Sequence, residues 1–542
     1  MIKFAVYDQA GPAKEIPLHH SYLVGKEDLT VPGSIAFENG MIVCRKHSSE
    51  AAALGVQIDA GPLGRLCVQT CLLPDREEPY NLYVELARHR IMLLLNKLEE
   101  WALSDLPDTH EVITGFEKAR ELFTGAIATP HDGKVDTAVR VSQLARQSLA
   151  LGIEAGERMT LLQAERDLAH RTAPPSKKSL SQRHAESTIA LSDDTECDEP
   201  ARAPIGCTLY PDQFSEPLQK IVARSFDFVS VPARWSDIER EEGQRNFVAT
   251  DRWIEWAVRT AKLPVCGGPL LDLSARALPR WLMIWENDYK TLRELAYEHL
   301  KAVVTRYRRA VPRWTVISGV NANMELNFRL EEMVDLTRLA VLTTKKLQPA
   351  ATVLVEISSP FGEQATHIDR SLAPILYAGL VKESGINFDG FAVRLQMGDG
   401  EPGRAARDLM QLSAVLDVLA EFDKPIHITA VGAPSVAFKP PSSQTKHRSL
   451  YADPGYWHAP WSPRVQAEWL TSAVTVAASK PCVQSVCWQM LWDSENAPEM
   501  RGGGVIASDG KPKPALKRLA DTCAALRAGA SPLKLPPVEA EA

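Results

Sequence analysis

Four acids of this chain, Asp272, Glu325, Glu356 and Asp493, fall at or just beyond short runs of branched apolar residues. Such acids matter because two carboxyl groups brought to one place can share general acid/base work, one protonating a leaving group while the other attacks as a nucleophile or activates a water. Glu356 lies inside Val353-Leu354-Val355-Glu356-Ile357, where a solvated surface acid is hard to explain. It is either a site residue or the buried partner of a cation such as Arg394. Asp272 begins Asp272-Leu273-Ser274, which also reads as a turn. Glu325 either reaches back toward the same place or caps the next helix. Trp488 and Trp492 offer flat apolar faces on which a ligand ring can stack, as do Tyr456, Trp457 and Trp461; the same rings also suit loop core. Side chains alternate along a strand, so His427 points toward the helices if Ala430 points into the site, and reads as a packing histidine. Glu363 and His367 read as ordinary loop polar groups. Cys67 and Cys71 have no second Cys/His pair at zinc spacing, and no Gly-rich phosphate loop follows a strand, so neither metal nor cofactor is expected.

The elements that must position these groups repeat eight times between Gly206 and Leu526. Each unit is a β-branched run, a polar loop and an amphipathic helix. The runs are Gly206–Tyr210, Phe226–Pro232, Leu263–Leu271, Arg313–Val320, Thr352–Ile357, Phe388–Gln396, Pro425–Ala430 and Gln484–Trp488. Strand and helix alternating at this spacing predict βαβ units and a closed α/β (β/α)8 TIM barrel over residues 205–530. Such barrels place their chemistry at the C-terminal ends of the strands.

Longer motifs sharpen this expectation. Phe226-Asp227-Phe228-Val229-Ser230 is followed by Arg234-Trp235, Glu239, Gly243, Phe247 and Asp251. Further on stand Gly267-Gly268-Pro269, Leu278-Pro279-Arg280-Trp281, Ala392-Val393-Arg394-Leu395-Gln396, Trp488 and Lys513-Pro514-Ala515. Over essentially its whole length this segment resembles family 10 glycoside hydrolases, the endo-β-1,4-xylanases. The resemblance implies that Arg234 stands where the family has Lys, and that Arg234, Trp235, Arg394, Gln396, Trp457, Trp488 and Trp492 line a saccharide site. It also implies a loss. Where the family reads Trp-Asp-Val-Val-Asn-Glu, this chain reads Trp314-Thr315-Val316-Ile317-Ser318-Gly319; where the family reads Ile-Thr-Glu, it reads Ile428-Thr429-Ala430. Glycine and alanine thus replace the acid/base and the nucleophile, so the ordinary two-glutamate mechanism is not supported. Two functions follow: a glycosidase acting on an oligo- or polysaccharide with a non-standard acid pair drawn from Glu356, Glu325, Asp272 and Asp493, or a catalytically inactive carbohydrate-binding or scaffolding protein.

Composition bounds both. At 542 residues the chain is long enough for several domains, and 45 % hydrophobic residues is ordinary for a protein with real cores. A net charge of −7 argues against nucleic acid as partner. No run of apolar residues reaches membrane-spanning length, no signal-peptide core is present, and nine scattered cysteines suit a reducing compartment, so the cytoplasm is the expected location. Residues 1–107 predict a β-rich domain ending in a helix near Tyr80–Leu103, and 110–171 a helical hairpin that must dock its apolar face on the barrel or on another subunit. Residues 172–204 and 531–542, polar and rich in Pro, read as a flexible linker and a disordered tail.

Overall fold

A computed structural model describes residues 1–130, 132–172, 202–274, 276–440, 448–494 and 500–538. Most of the expected linker, and the last four residues of the expected tail, lie outside them.

All eight β-branched runs become strands of one closed parallel barrel. They are Ile205–Thr208, Phe228–Val231, Val265–Gly267 continued by Leu271–Asp272, Arg313–Ser318, Thr352–Ile357, Gly390–Gln396, Ile426–Gly432 and Val483–Trp488. The first and eighth pair through Val486 and Ile205, which closes the ring. Parallel strands buried on both faces must be apolar throughout. Val353, Leu354, Val355 and Ile357, all buried, meet that demand, and Glu356 is the exception among them. The third strand is interrupted at Gly268-Pro269, where a Cβ on Gly268 would strike the Thr315 carbonyl at 2.2 Å. The seventh strand slips by one residue: Val393 pairs with Ile428, yet Arg394 pairs with Ala430. That irregularity re-aims the side chains that follow it.

The N-terminal residues form two small sheets. In one, Gly33–Glu38 and Met41–Lys46 make a hairpin across Asn39-Gly40, both at positive φ as a two-residue turn between twisted strands requires. In the other, Tyr22–Val24, Ala53–Asp59 and Gly64–Gln69 are joined by Tyr456–Trp457, a short strand from the loop after the seventh barrel strand. The barrel therefore contributes a strand to the N-terminal sheet, an exchange the expected boundary at residue 205 did not foresee. Three helices follow, Leu82–Glu100, Glu111–Ala128 and Val135–Thr172. Their docking partner is the barrel. Arg90 forms a buried ion pair with Asp408 at 2.5 Å. Glu157 accepts hydrogen bonds from Trp457, His458 and the Leu409 backbone. Arg171 donates to the carbonyls of Ala478, Lys480 and Val483. Beyond residue 530 the chain is not featureless: Pro532–Lys534 forms a short turn with Pro532 buried, and Arg518 bonds the Pro536 carbonyl.

Candidate functional site

The barrel mouth is organised around Glu356. It stands one residue before the end of the fifth strand, fully buried, and strands four, six and seven each supply it a partner. Ser318, closing the fourth strand, donates to Oε1 through its hydroxyl. Arg394 on the sixth strand donates Nε to the same oxygen at 2.6 Å. Thr429 on the seventh donates to Oε2 at 2.6 Å. Arg394 also reaches Asp272 Oδ2 at 3.5 Å, so one guanidinium joins two buried carboxylates. Asp272 meanwhile accepts the Ser274 N–H at 3.0 Å, so it serves its turn as well as the mouth.

Around this cage the lining is polar and close. Arg234 lies over the Tyr210 ring at 4.6 Å. Gln396 donates to Gln489 at 2.5 Å. The remaining cavity, bordered by Tyr210, Arg234, Asp272, Glu356, Arg394 and Ala430, measures about 30 Å3. One water needs at least 10–15 Å3, and small-molecule pockets typically span about 300–1,000 Å3. The space enclosed by these side chains therefore has room for water.

The two positions that would carry acids are occupied differently. Gly319 holds a φ of +79° and its N–H donates to Ser358 Oγ at 3.0 Å. A Cβ there would find only ordinary contact with Leu273 at 3.5 Å, so backbone conformation rather than space disfavours a side chain. Ala430 reaches the cavity wall because of the slip in its strand.

The structure brings Asp272, Glu356, Arg234 and Arg394 to one cavity, with Gln396 bonded to its wall residue Gln489, and leaves the other candidates elsewhere. Asp493 pairs with Lys513 at 2.5 Å and accepts the Gly504 N–H at 2.8 Å, which anchors the final loop. Glu325 is buried in the loop before Leu330–Leu347 and is not part of the cavity wall. Trp235 turns behind the strands, stacked on His299 at 4.7 Å and donating to Glu239. Trp457 is committed to Glu157 at 2.7 Å. Trp488 is fully buried and offers no open face, and Trp492 packs beside the Gly510 turn, outside the cavity. His427 faces the barrel interior, contrary to the expectation that it points at the helices. Strict alternation from Ala430 predicts the outward side; the slip between Ile428 and Ala430 breaks that count. It bonds Ser485 at 2.8 Å and meets Arg313 at 3.1 Å, and burial followed by the Arg313 charge pushes its pKa down to about 3. Tyr210, Ser318, Thr429 and Gln489 escaped the sequence reading as site residues. Their signal was a hydroxyl, phenol or amide at the end of a strand, visible only once the strands are in register. Among the described residues no group of three or more His, Cys, Asp or Glu could hold a metal ion, and no helix is long and apolar enough to cross a membrane.

Comparison with known proteins gives one family match: residues 198–335 match the model described as glycosyl hydrolase family 10. Among solved structures, xylanase 10B from Thermotoga maritima is 16 % identical, with 59 % of this chain and 95 % of that chain covered and a TM-score of 0.44. Xylanase 10B from Thermotoga petrophila RKU-1, in complex with xylobiose, is 18 % identical over 59 % of this chain and 94 % of that one, with a TM-score of 0.43. The endo-1,4-beta-xylanase from Caldicellulosiruptor owensensis is 17 % identical over 59 % and 96 %, with a TM-score of 0.45.

Proposed function

We propose that this carbohydrate-active barrel, assigned to glycosyl hydrolase family 10 through residues 198–335, recognises a saccharide without cleaving it by a pair of carboxyl groups. The observation that carries this reading is the engagement of Glu356. Both of its oxygens accept from fixed donors, Ser318 and Arg394 on one and Thr429 on the other. Three of the roughly four lone-pair sites of the carboxylate are thereby taken up by fixed donors, which suits a structural acceptor better than a group free to turn toward a substrate. Gly319 and Ala430, at the inherited positions, bring no functional group of their own.

A second reading keeps hydrolysis, with Glu356 and Asp272 as a displaced pair. It is favoured by one fact: both carboxylates border the same cavity and share Arg394. The test is turnover of aryl β-xylosides, aryl β-glucosides, xylan and xylo-oligosaccharides by wild type and Glu356→Gln, with calorimetric binding of the same oligosaccharides. Binding without turnover is the expected result. Turnover that Glu356→Gln abolishes would reject the non-cleaving reading.

A further inference from the structure

The space enclosed at the mouth is small, and the same end of the barrel carries a larger cavity. It lies where the N-terminal segment Ile16–His19 meets the loops after the fifth and seventh strands, through His367, Ser449 and Leu450. Its volume is about 370 Å3, against about 30 Å3 at the mouth. That falls inside the range of about 300–1,000 Å3 usual for small-molecule sites. We propose that this junction cavity is the saccharide site, and that its ligand is a neutral di- or trisaccharide held between the N-terminal sheet and the barrel loops.

Three observations support the assignment, which rests on the saccharide-recognition reading above. First, the wall mixes the two surfaces a sugar presents. The Pro17 ring, Ile16, Leu18 and Leu450 offer apolar area to C–H faces, while His19, His367 and Ser449 offer hydrogen bonds to hydroxyls. Second, among the described residues none that lines the cavity is an acid, Lys or Arg, so this wall favours an uncharged ligand. Burial lowers the pKa of His367, which keeps that imidazole neutral as well. Third, the loop carrying His367 concentrates buried polar atoms that have no hydrogen-bond partner among the described residues. His367 Nε2 belongs to the cavity wall itself; Thr366 Oγ1, Ser371 Oγ, both amide atoms of the fully buried Gln364 and Ser21 Oγ belong to residues that do not line it. Such atoms are rare in folded proteins, and the one on the wall, His367 Nε2, points to a partner supplied from outside the chain.

Calorimetry with xylobiose, xylotriose, cellobiose and maltose tests this on the full chain. Ser449 is exposed, so Ser449→Trp fills the cavity without disturbing a core; Leu18→Trp fills it from the opposite wall, and Ala430→Met fills the mouth instead. The expected result is that at least one sugar binds wild type, that each junction variant weakens it by about ten-fold or more, and that Ala430→Met leaves it unchanged. Weakening by Ala430→Met, with both junction variants binding as wild type, would overturn the junction site and leave saccharide recognition standing. Failure of every sugar to bind wild type at millimolar concentration would overturn both.

Discussion

Glu356 and Arg394 illustrate how a charge can be kept inside a barrel. Both are largely removed from water, so their mutual attraction mainly offsets the cost of desolvating them. Removing one partner is different, because the other is left charged and unpaired. Glu356→Ala is expected to cost about 3–5 kcal/mol in urea unfolding. Glu356→Gln should cost less, since an amide oxygen still accepts from Ser318 or Thr429. A loss under about 1 kcal/mol for the alanine variant would show that the cage holds nothing together. Acid sensitivity is the second expectation at this scale. Burial, the largest cause in each case, pushes His89 to about 4 and both His299 and His427 to about 3. The unfolded chain takes up these protons near pH 6.5 and the folded one does not, so the stability they confer is complete above that pH. It drains as pH falls from about 6.5 toward 3, at up to about 1.4 kcal/mol per pH unit for each histidine. His427→Gln should flatten that slope in urea titrations between pH 6.5 and 4; an unchanged slope would reject the assignment. The sequence reading offered Glu356 two roles, site acid or buried partner of Arg394, and the geometry supplies the second contact directly. It could not reach Ser318 or Thr429, because which residues face one another across four strands depends on register.

Strands and helices were more legible than their side-chain aims. Eight β-branched runs were enough to place every barrel strand, since burial on both faces demands a kind of sequence that loops and amphipathic helices lack. The slip in Ile426–Gly432 was invisible, and His427 was misdirected by it, because a bulge obeys no periodicity. Tyr456-Trp457-His458 shows another limit. As a row of rings in a long loop it suited a sugar wall; paired with Gly64–Gln69 and bonded to Glu157, it is a joint. Glu157→Ala should therefore loosen that joint specifically. It leaves the Trp457 indole and the Leu409 N–H without their acceptor, at about 1–3 kcal/mol each. His458, partly exposed, can turn to water. Hydrogen exchange should accelerate in Gly64–Gln69 and stay slow in Thr352–Ile357. Equal acceleration in both strands would mean that the joint and the barrel open as one unit.

The whole chain is expected to do just that under stronger perturbation, because its two halves share buried charges. Glu363, in the loop after the fifth barrel strand, accepts from the Gly403 and Ala405 backbone and pairs with Arg407 at 2.7 Å. The N-terminal side closes this cluster: His20 lies 3.6 Å from the same carboxylate and the Tyr22 hydroxyl touches Arg407. Burial alone would raise the Glu363 pKa, yet Arg407 and His20 hold it well below the usual carboxylate range. Its contribution is thus present above the unfolded pKa and lost as pH falls, in the same direction as the histidines. Asp408, fully buried, depends on Arg90 from the other half in the same way. A barrel expressed as residues 202–542 would expose Trp457 and the surface the helices cover and would take Arg90 from Asp408, a loss comparable to the few kcal/mol by which domains are stable. That fragment should be insoluble or lack near-ultraviolet circular dichroism, and the intact protein should unfold in one transition by fluorescence and by far-ultraviolet signal alike. A soluble fragment with native aromatic dichroism would show that the N-terminal sheets and helices are an addition to a self-sufficient barrel. The junction cavity would then lose one wall without loss of the barrel, and sugar binding by the fragment would locate the site elsewhere.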